Sequence, residues 1–312
     1  MRYLIFILAL SIITLAPFFG QVPIELSNLT NDSTMDFKLF WDIRLPRVIL
    51  AFFAGGILSL GGLIFQSLFK NPMSTPYTLG VASGSTLGVA FAIVFGFSSL
   101  LSLFGFLGAL MTVIVLFTLT LKLKSYETNA LLLVGIALAF FYNATLMILF
   151  YISDESQSFE IIRFTMGSVD VVGLEHTLPI VVASLALLLL SLSYKKALKL
   201  LLTSNEYAYL KGVEVKKVNT ILLVAVSVAV GVCVSLTGPI GFVGLIIPHI
   251  IKTIYKKSAE QLMIPIFFYG GVFLVVSDLI ARNLGTNTDI PIGIVTAFLG
   301  GPFFIYLIIK RK

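Results

Sequence analysis

Apolar runs of about twenty residues recur from one end of this chain to the other, and that repetition constrains the fold more than any motif does. As a helix rising about 1.5 Å per residue, such a run crosses about 30 Å of hydrocarbon. Within a bilayer each backbone N–H and C=O must be paired inside the protein, and a helix achieves this within one segment. The composition agrees. Apolar residues make up 58% of the chain and charged ones 12%, whereas a soluble domain carries about twice that charge. The expected fold is an all-α integral membrane protein of about ten transmembrane helices, with residues 1–312 forming one polytopic domain.

Residues 1–20 hold one arginine and an apolar run with no clear small-x-small cleavage site, so an uncleaved first span is expected. Residues 21–42 read as a polar, acidic loop. The second span, at about 47–69, contains Gly55-Gly56 and Gly61-Gly62, small residues that let membrane helices approach closely. Lys70-Asn71-Pro72 breaks it. Further spans are expected at about 77–98, 101–121, 129–151, 177–194, 219–236, 240–255, 262–281 and 292–309. Between the fifth and sixth, residues 158–167 suit a short external amphipathic helix carrying Phe159, Ile162 and Met166. The eighth segment is short, about 24 Å long at 1.5 Å per residue. A re-entrant loop would fit that length, but it would put Lys256 and Lys257 outside, so a crossing is expected.

The charge distribution sets the orientation. With both termini cytoplasmic, the 21 basic residues divide into sixteen inside and five outside, and the 15 acidic residues into four inside and eleven outside. The net charge of +6 is therefore a topology signal and gives no reason to expect a nucleic-acid partner. Cys233 is the one cysteine, and His176 and His249 are far apart in sequence, so no metal site or cofactor is expected. The string Gly80-Val-Ala-Ser-Gly84-Ser85-Thr86 lacks the lysine of a phosphate-binding loop and suits helix packing better. No nucleophile–base constellation has workable spacing. The chain is not expected to be an enzyme.

Ionisable residues within hydrocarbon would mark an ion-coupled carrier. Asp278 is the exception here, and Arg282, four residues on, can neutralise it on one helix face. An ion-coupled secondary transporter is thus the alternative reading, and an external energy source the leading one. In Arg44-Leu45-Pro46-Arg47, Pro46 suits the first turn of a helix, which would put Arg47 at the positive end of the helix dipole. A pair with Asp42 accounts for one of these arginines. Outward arginines that dock an acidic partner account for both, since guanidinium suits bidentate carboxylate binding. On the cytoplasmic side, residues 203–218 form a polar, basic stretch between two apolar runs. Ser204 or Asn205 can cap a helix there, Tyr207 and Leu210 share a face, and Gly212 can end it.

Several blocks together resemble one family. They are Ile43-Arg44-Leu45-Pro46-Arg47, Gly55-Gly56, Gln66-Ser67-Leu68-Phe69-Lys70-Asn71-Pro72, Leu79-Gly80-Val81, the run from Gly238-Pro239-Ile240-Gly241 to Pro248-His249, and Asp289-Ile290-Pro291-Ile292-Gly293. In this order the chain resembles the FecCD permeases that import iron–siderophore complexes, haem and cobalamin. The resemblance implies a type II ABC importer permease in the cytoplasmic (inner) membrane. It implies as partners a second permease subunit, a cytoplasmic ABC ATPase dimer, and a periplasmic or lipid-anchored substrate-binding protein. The expected cargo is an iron chelate, with iron–siderophore foremost. By the same resemblance, Arg44, Arg47 and Arg282 dock the binding protein. Asn205, Glu206, Tyr207, Leu210, Gly212 and Val213 belong to a pair of short helices that couple to the ATPase. Thr128 and Asn129 match the cytoplasmic gate, although the family commonly has serine or threonine followed by a basic residue where Asn129 and Ala130 stand. No role follows for His249 beyond packing or a helix end.

Overall fold

The computed structural model describes residues 2–122, 128–285 and 289–310, and among these it is all helix and connection, with no strand. The ten apolar runs each become a helix: α1 (Arg2–Leu15), α2 (Leu45–Leu68), α3 (Val81–Val94), α4 (Leu101–Lys122), α5 (Thr128–Ile152), α7 (Leu178–Ser193), α10 (Val215–Thr237), α11 (Val243–Tyr255), α12 (Met263–Leu284) and α13 (Ile292–Lys310). Three shorter helices lie between them: α6 (Glu155–Thr165), α8 (Lys195–Thr203) and α9 (Asn205–Leu210). Six of the described helices are long and apolar enough to span a membrane, and four shorter apolar ones accompany them.

Helix α2 is the axis of the bundle. It packs on α12 along most of its length and also on α7, α10 and α11. Its glycines make this possible. A Cβ on Gly55 would collide with the Gly270 carbonyl of α12, and one on Gly62 with the Gly244 carbonyl of α11. These are backbone-to-backbone contacts of the kind small residues permit. The Gly80–Thr86 string packs in the same way, with Gly84 against the Gly108 carbonyl of α4.

Among the boundaries that differ from the sequence reading, two bear on the site. The second span starts twelve residues before Arg47, because a turn at Met35–Lys38, capped by Thr34, runs through π-helical Leu39–Arg44 directly into α2. A π-turn shifts the hydrogen-bond register, and Pro46, which has no N–H to give, sits just beyond it. Arg47 is therefore inside a continuous helix, and the dipole argument for it does not hold. The short helix expected between the fifth and sixth spans starts at Glu155, fixed by a capping box between Asp154 and Gln157. Its inward face is also not the expected one: Ile161 is buried, while Phe159, Ile162 and Met166 are exposed.

The short α11 begins beside the second half of α2, where Gly244 lies against Leu58 and Gly62. The Ala259–Gln261 turn that follows it packs on α8. The turn and α8 thus share one end of the bundle. The opposite end carries α6, the Arg47 region and the start of α13.

Candidate functional site

The end opposite α8 is organised by Arg47, the third residue of α2 after the π-turn. Its Nε donates to Asp278 Oδ1 at 2.8 Å, and its Nη1 lies 2.7 Å from Asp170 Oδ1 and 2.6 Å from Asp289 Oδ2. Four segments therefore meet at one guanidinium: α2, α12, the loop after α6 and the loop before α13. The carboxylates differ in setting. Asp278 is fully buried, whereas the side chains of Asp170 and Asp289 are 42% and 36% exposed. Arg282 reaches Asp278 Oδ2 only at 3.5 Å through Nε, and its Nη2 donates to the Ala16 carbonyl. Arg44 donates to the carbonyls of Phe18 and Val22. Arg44 and Arg282 thus hold the segment after α1 against this end.

All three arginines are buried. The structure brings them into one region, where their immediate partners are the chain's own carbonyls and carboxylates. Arg44 binds carbonyls instead of the Asp42 side chain considered for it. The main partner of Asp278 is Arg47 of α2, not Arg282 of its own helix. With its charge compensated in this way, Asp278 is not a lone carboxylate available to carry a coupling ion.

Beside the cluster lies a cavity of about 530 Å3. Phe159, Ile162, Met166 and Val169 form its apolar wall, and Arg47, Arg163, Asp170 and Asp289 its charged edge. Arg163 is 68% exposed and stands 3.8 Å from the second oxygen of Asp170. Sequence reasoning gave no role to Asp170 or Asp289. Asp289 lies in the Asp-Ile-Pro-Ile block and was visible as a motif residue; Asp170 is a single loop aspartate with no local signal.

At the other end, Ser204 is extended (φ −161°, ψ 156°) and its Oγ accepts from Tyr207 N at 2.9 Å. Ser204 is therefore both the joint between α8 and α9 and the cap of α9. The two short helices are Lys195–Thr203 and Asn205–Leu210, so the pair begins eight residues before residue 203. Gly212 (φ +82°) does not separate them; it stands between α9 and the long α10. Leu210 is 80% exposed, and Glu206 and Tyr207 are exposed beside it. Asn205 and Val213 are half-buried, and Val213 N donates to Ala208 O at 3.0 Å. Thr128 and Asn129 open α5, and their side chains lie outside the described ones. His249 stands edge-on to the Phe303 ring, in keeping with a packing role. Among the described residues no three His, Cys, Asp or Glu side chains are grouped to hold a metal ion.

The model of the FecCD transport family matches residues 4–310. The hemin transport system permease protein HmuU of Yersinia pestis is 34% identical over 305 residues, covering 94% of this chain and 90% of that protein. The vitamin B12 import system permease protein BtuC of Vibrio vulnificus is 31% identical over 311 residues, covering 98% and 93%. A solved structure described as an inward-facing conformation of a metal-chelate type ABC transporter superposes with a TM-score of 0.89 at 29% identity, covering 99% of this chain and 98% of that one.

Proposed function

The chain belongs to the FecCD transport family, and from that premise we propose that it is the membrane-spanning permease subunit of an ATP-driven importer for a large metal chelate. The observation that carries the reading is a match of sequence and fold over nearly the whole chain, to proteins named for hemin transport and vitamin B12 import and to a metal-chelate type transporter. The iron–siderophore expected from sequence belongs to the same class of cargo. Haem and cobalamin have equal standing with it, since two of the relatives are named for them.

In this reading ATP hydrolysis resides on separate subunits. Two permease chains, two ATPases and a substrate-binding protein make up the importer in the inner membrane. The end carrying α8 and α9 and both chain termini face the cytoplasm, in accord with the positive-inside distribution. Arg44, Arg47 and Arg282 are the docking centre for the binding protein, and Thr128 and Asn129 contribute to the cytoplasmic gate. Residues 205–213 engage the ATPase. Leu210 is the key contact there: it is apolar and exposed on a capped helix, and burying it in a partner groove contributes about 1.5–3 kcal/mol.

Reconstitution with the ATPase and binding protein tests this. Uptake of the chelate should require ATP and be indifferent to ionophores, and Leu210→Asp should abolish both uptake and substrate-stimulated ATP hydrolysis while leaving binding-protein docking intact. Wild-type coupling in Leu210→Asp would remove α9 from the mechanism. Uptake abolished by an ionophore but not by loss of ATP hydrolysis would favour the ion-coupled carrier.

A further inference from the structure

Arg47 is shared by the buried cluster and the outer cavity, and its three carboxylates are not equivalent. Asp278 has no exposed surface, so it stays with Arg47 or leaves a charge buried. Asp170 and Asp289 are partly exposed, and each rotates into water at little cost. Asp170 also has a second partner in place. Its Oδ1 lies 2.7 Å from Arg47 while its Oδ2 lies 3.8 Å from Arg163, itself exposed at the cavity edge. One aspartate stands between two guanidinium groups and can pass from one to the other.

We propose that the outer cavity receives a carboxylate-bearing side chain of the docked partner, which replaces Asp170 and Asp289 on Arg47 while Asp170 moves to Arg163. This rests on the docking reading above and adds to it how the buried arginine becomes available. Arg47 stays paired throughout through Asp278 on Nε, and the entering carboxylate takes the place on Nη1 that Asp170 and Asp289 share, so ionic contacts of the same kind form and break. The apolar wall of Phe159, Ile162, Met166 and Val169 shields the entering group from water, which strengthens its attraction to Arg47. Asp170 and Asp289 are then internal competitors of docking. Their release also unties from α2 the two loops that wall the cavity, the one after α6 and the one before α13.

The test is binding-protein affinity for the assembled importer in lipid nanodiscs, using the binding protein purified with it. Asp170→Asn with Asp289→Asn removes the competitors and should tighten docking about three- to tenfold, or roughly 0.7–1.4 kcal/mol, mainly through slower dissociation. Glu175→Gln removes an outer carboxylate that does not touch Arg47 and should leave affinity within about twofold, a span of roughly 0.4 kcal/mol. An equal gain from Glu175→Gln would reduce the effect to general charge and overturn the exchange. Unchanged or weaker docking by the double variant would overturn it as well. Arg47→Lys keeps a cation beside Asp278 and separates the two ideas. If it leaves docking at the wild-type level, the docking reading itself fails; if it weakens docking while the double Asn variant gives no gain, only the exchange fails.

Discussion

Arg47→Gln is the most informative single perturbation of the fold, because the structure assigns a different cost to each partner it leaves. Asp170 and Asp289 can turn to water, and their exposed pairs contribute less than about 1 kcal/mol each. Asp278 cannot. It is fully buried, and without Arg47 its nearest cation is Arg282 Nε at 3.5 Å, too long for a good hydrogen bond. Breaking a buried pair by removing one partner costs about 3–5 kcal/mol, since the other charge remains in a medium that solvates it poorly. Arg47→Gln should therefore lose about that much stability.

The second variant identifies the cause. Asp278→Asn in the Arg47→Gln background removes the stranded carboxylate, gives up only its long 3.5 Å contact to Arg282, and leaves two amides that can bond to each other. The double variant should recover at least about 2 kcal/mol relative to Arg47→Gln, a strong coupling for residues in direct contact. Denaturant unfolding of the detergent-solubilised protein, followed by intrinsic fluorescence, reads all four corners of the cycle. If Arg47→Gln falls within about 1 kcal/mol of wild type, or the double variant is no better than Arg47→Gln, Asp278 is not held by Arg47.

Two glycines should respond in opposite ways. Gly62→Ala drives a methyl group into the Gly244 carbonyl and should sharply reduce the yield of folded protein. Gly212→Val meets nothing within 4 Å and strains only a left-handed backbone (φ +82°), at about 1–2 kcal/mol, so it should fold normally and lose coupling. For topology, Asp32→Cys should label from outside intact cells and Asn205→Cys should not; the native Cys233 is buried and gives little background. Labelling of Ser258→Cys from outside would show that α11 returns to the outer face instead of ending beside α8.

The helices were legible in the sequence because hydrocarbon thickness dictates their length, and all ten runs became helices. Local capping was legible too. Ser204 caps α9 through an atom three residues away, a relation a short window contains. The arginine cluster was not. Arg47 finds Asp278 and Asp289 231 and 242 residues along the chain, and only the fold puts them together. The i,i+4 rule offered Arg282 as the partner of Asp278, and a nearer guanidinium from another helix took precedence. On α6 the helical period gave a stripe but not its direction: Ile161 faces inward, and the expected stripe faces the cavity.

The seam between α2 and α12 bears on how the two ends of the molecule communicate. Gly55 and Gly270 meet backbone to backbone, Gly271 lies against Phe52, and Ser59 Oγ donates to the Ile266 carbonyl at 2.9 Å. Such a contact has no long side chains to rearrange, and close-packed interiors transmit displacement instead of absorbing it. At one end, α12 follows the Ala259–Gln261 turn that packs on α8, the first of the two short helices. Near the other end it carries Asp278, the one carboxylate Arg47 cannot release. In the proposed reading, a push of the ATPase on α9 that shifts α8 would therefore reach the Arg47 cluster as a rigid movement of α2 and α12 together. The Arg47–Asp278 pair moves with those helices, and the contacts free to respond are the ones to Asp170 and Asp289.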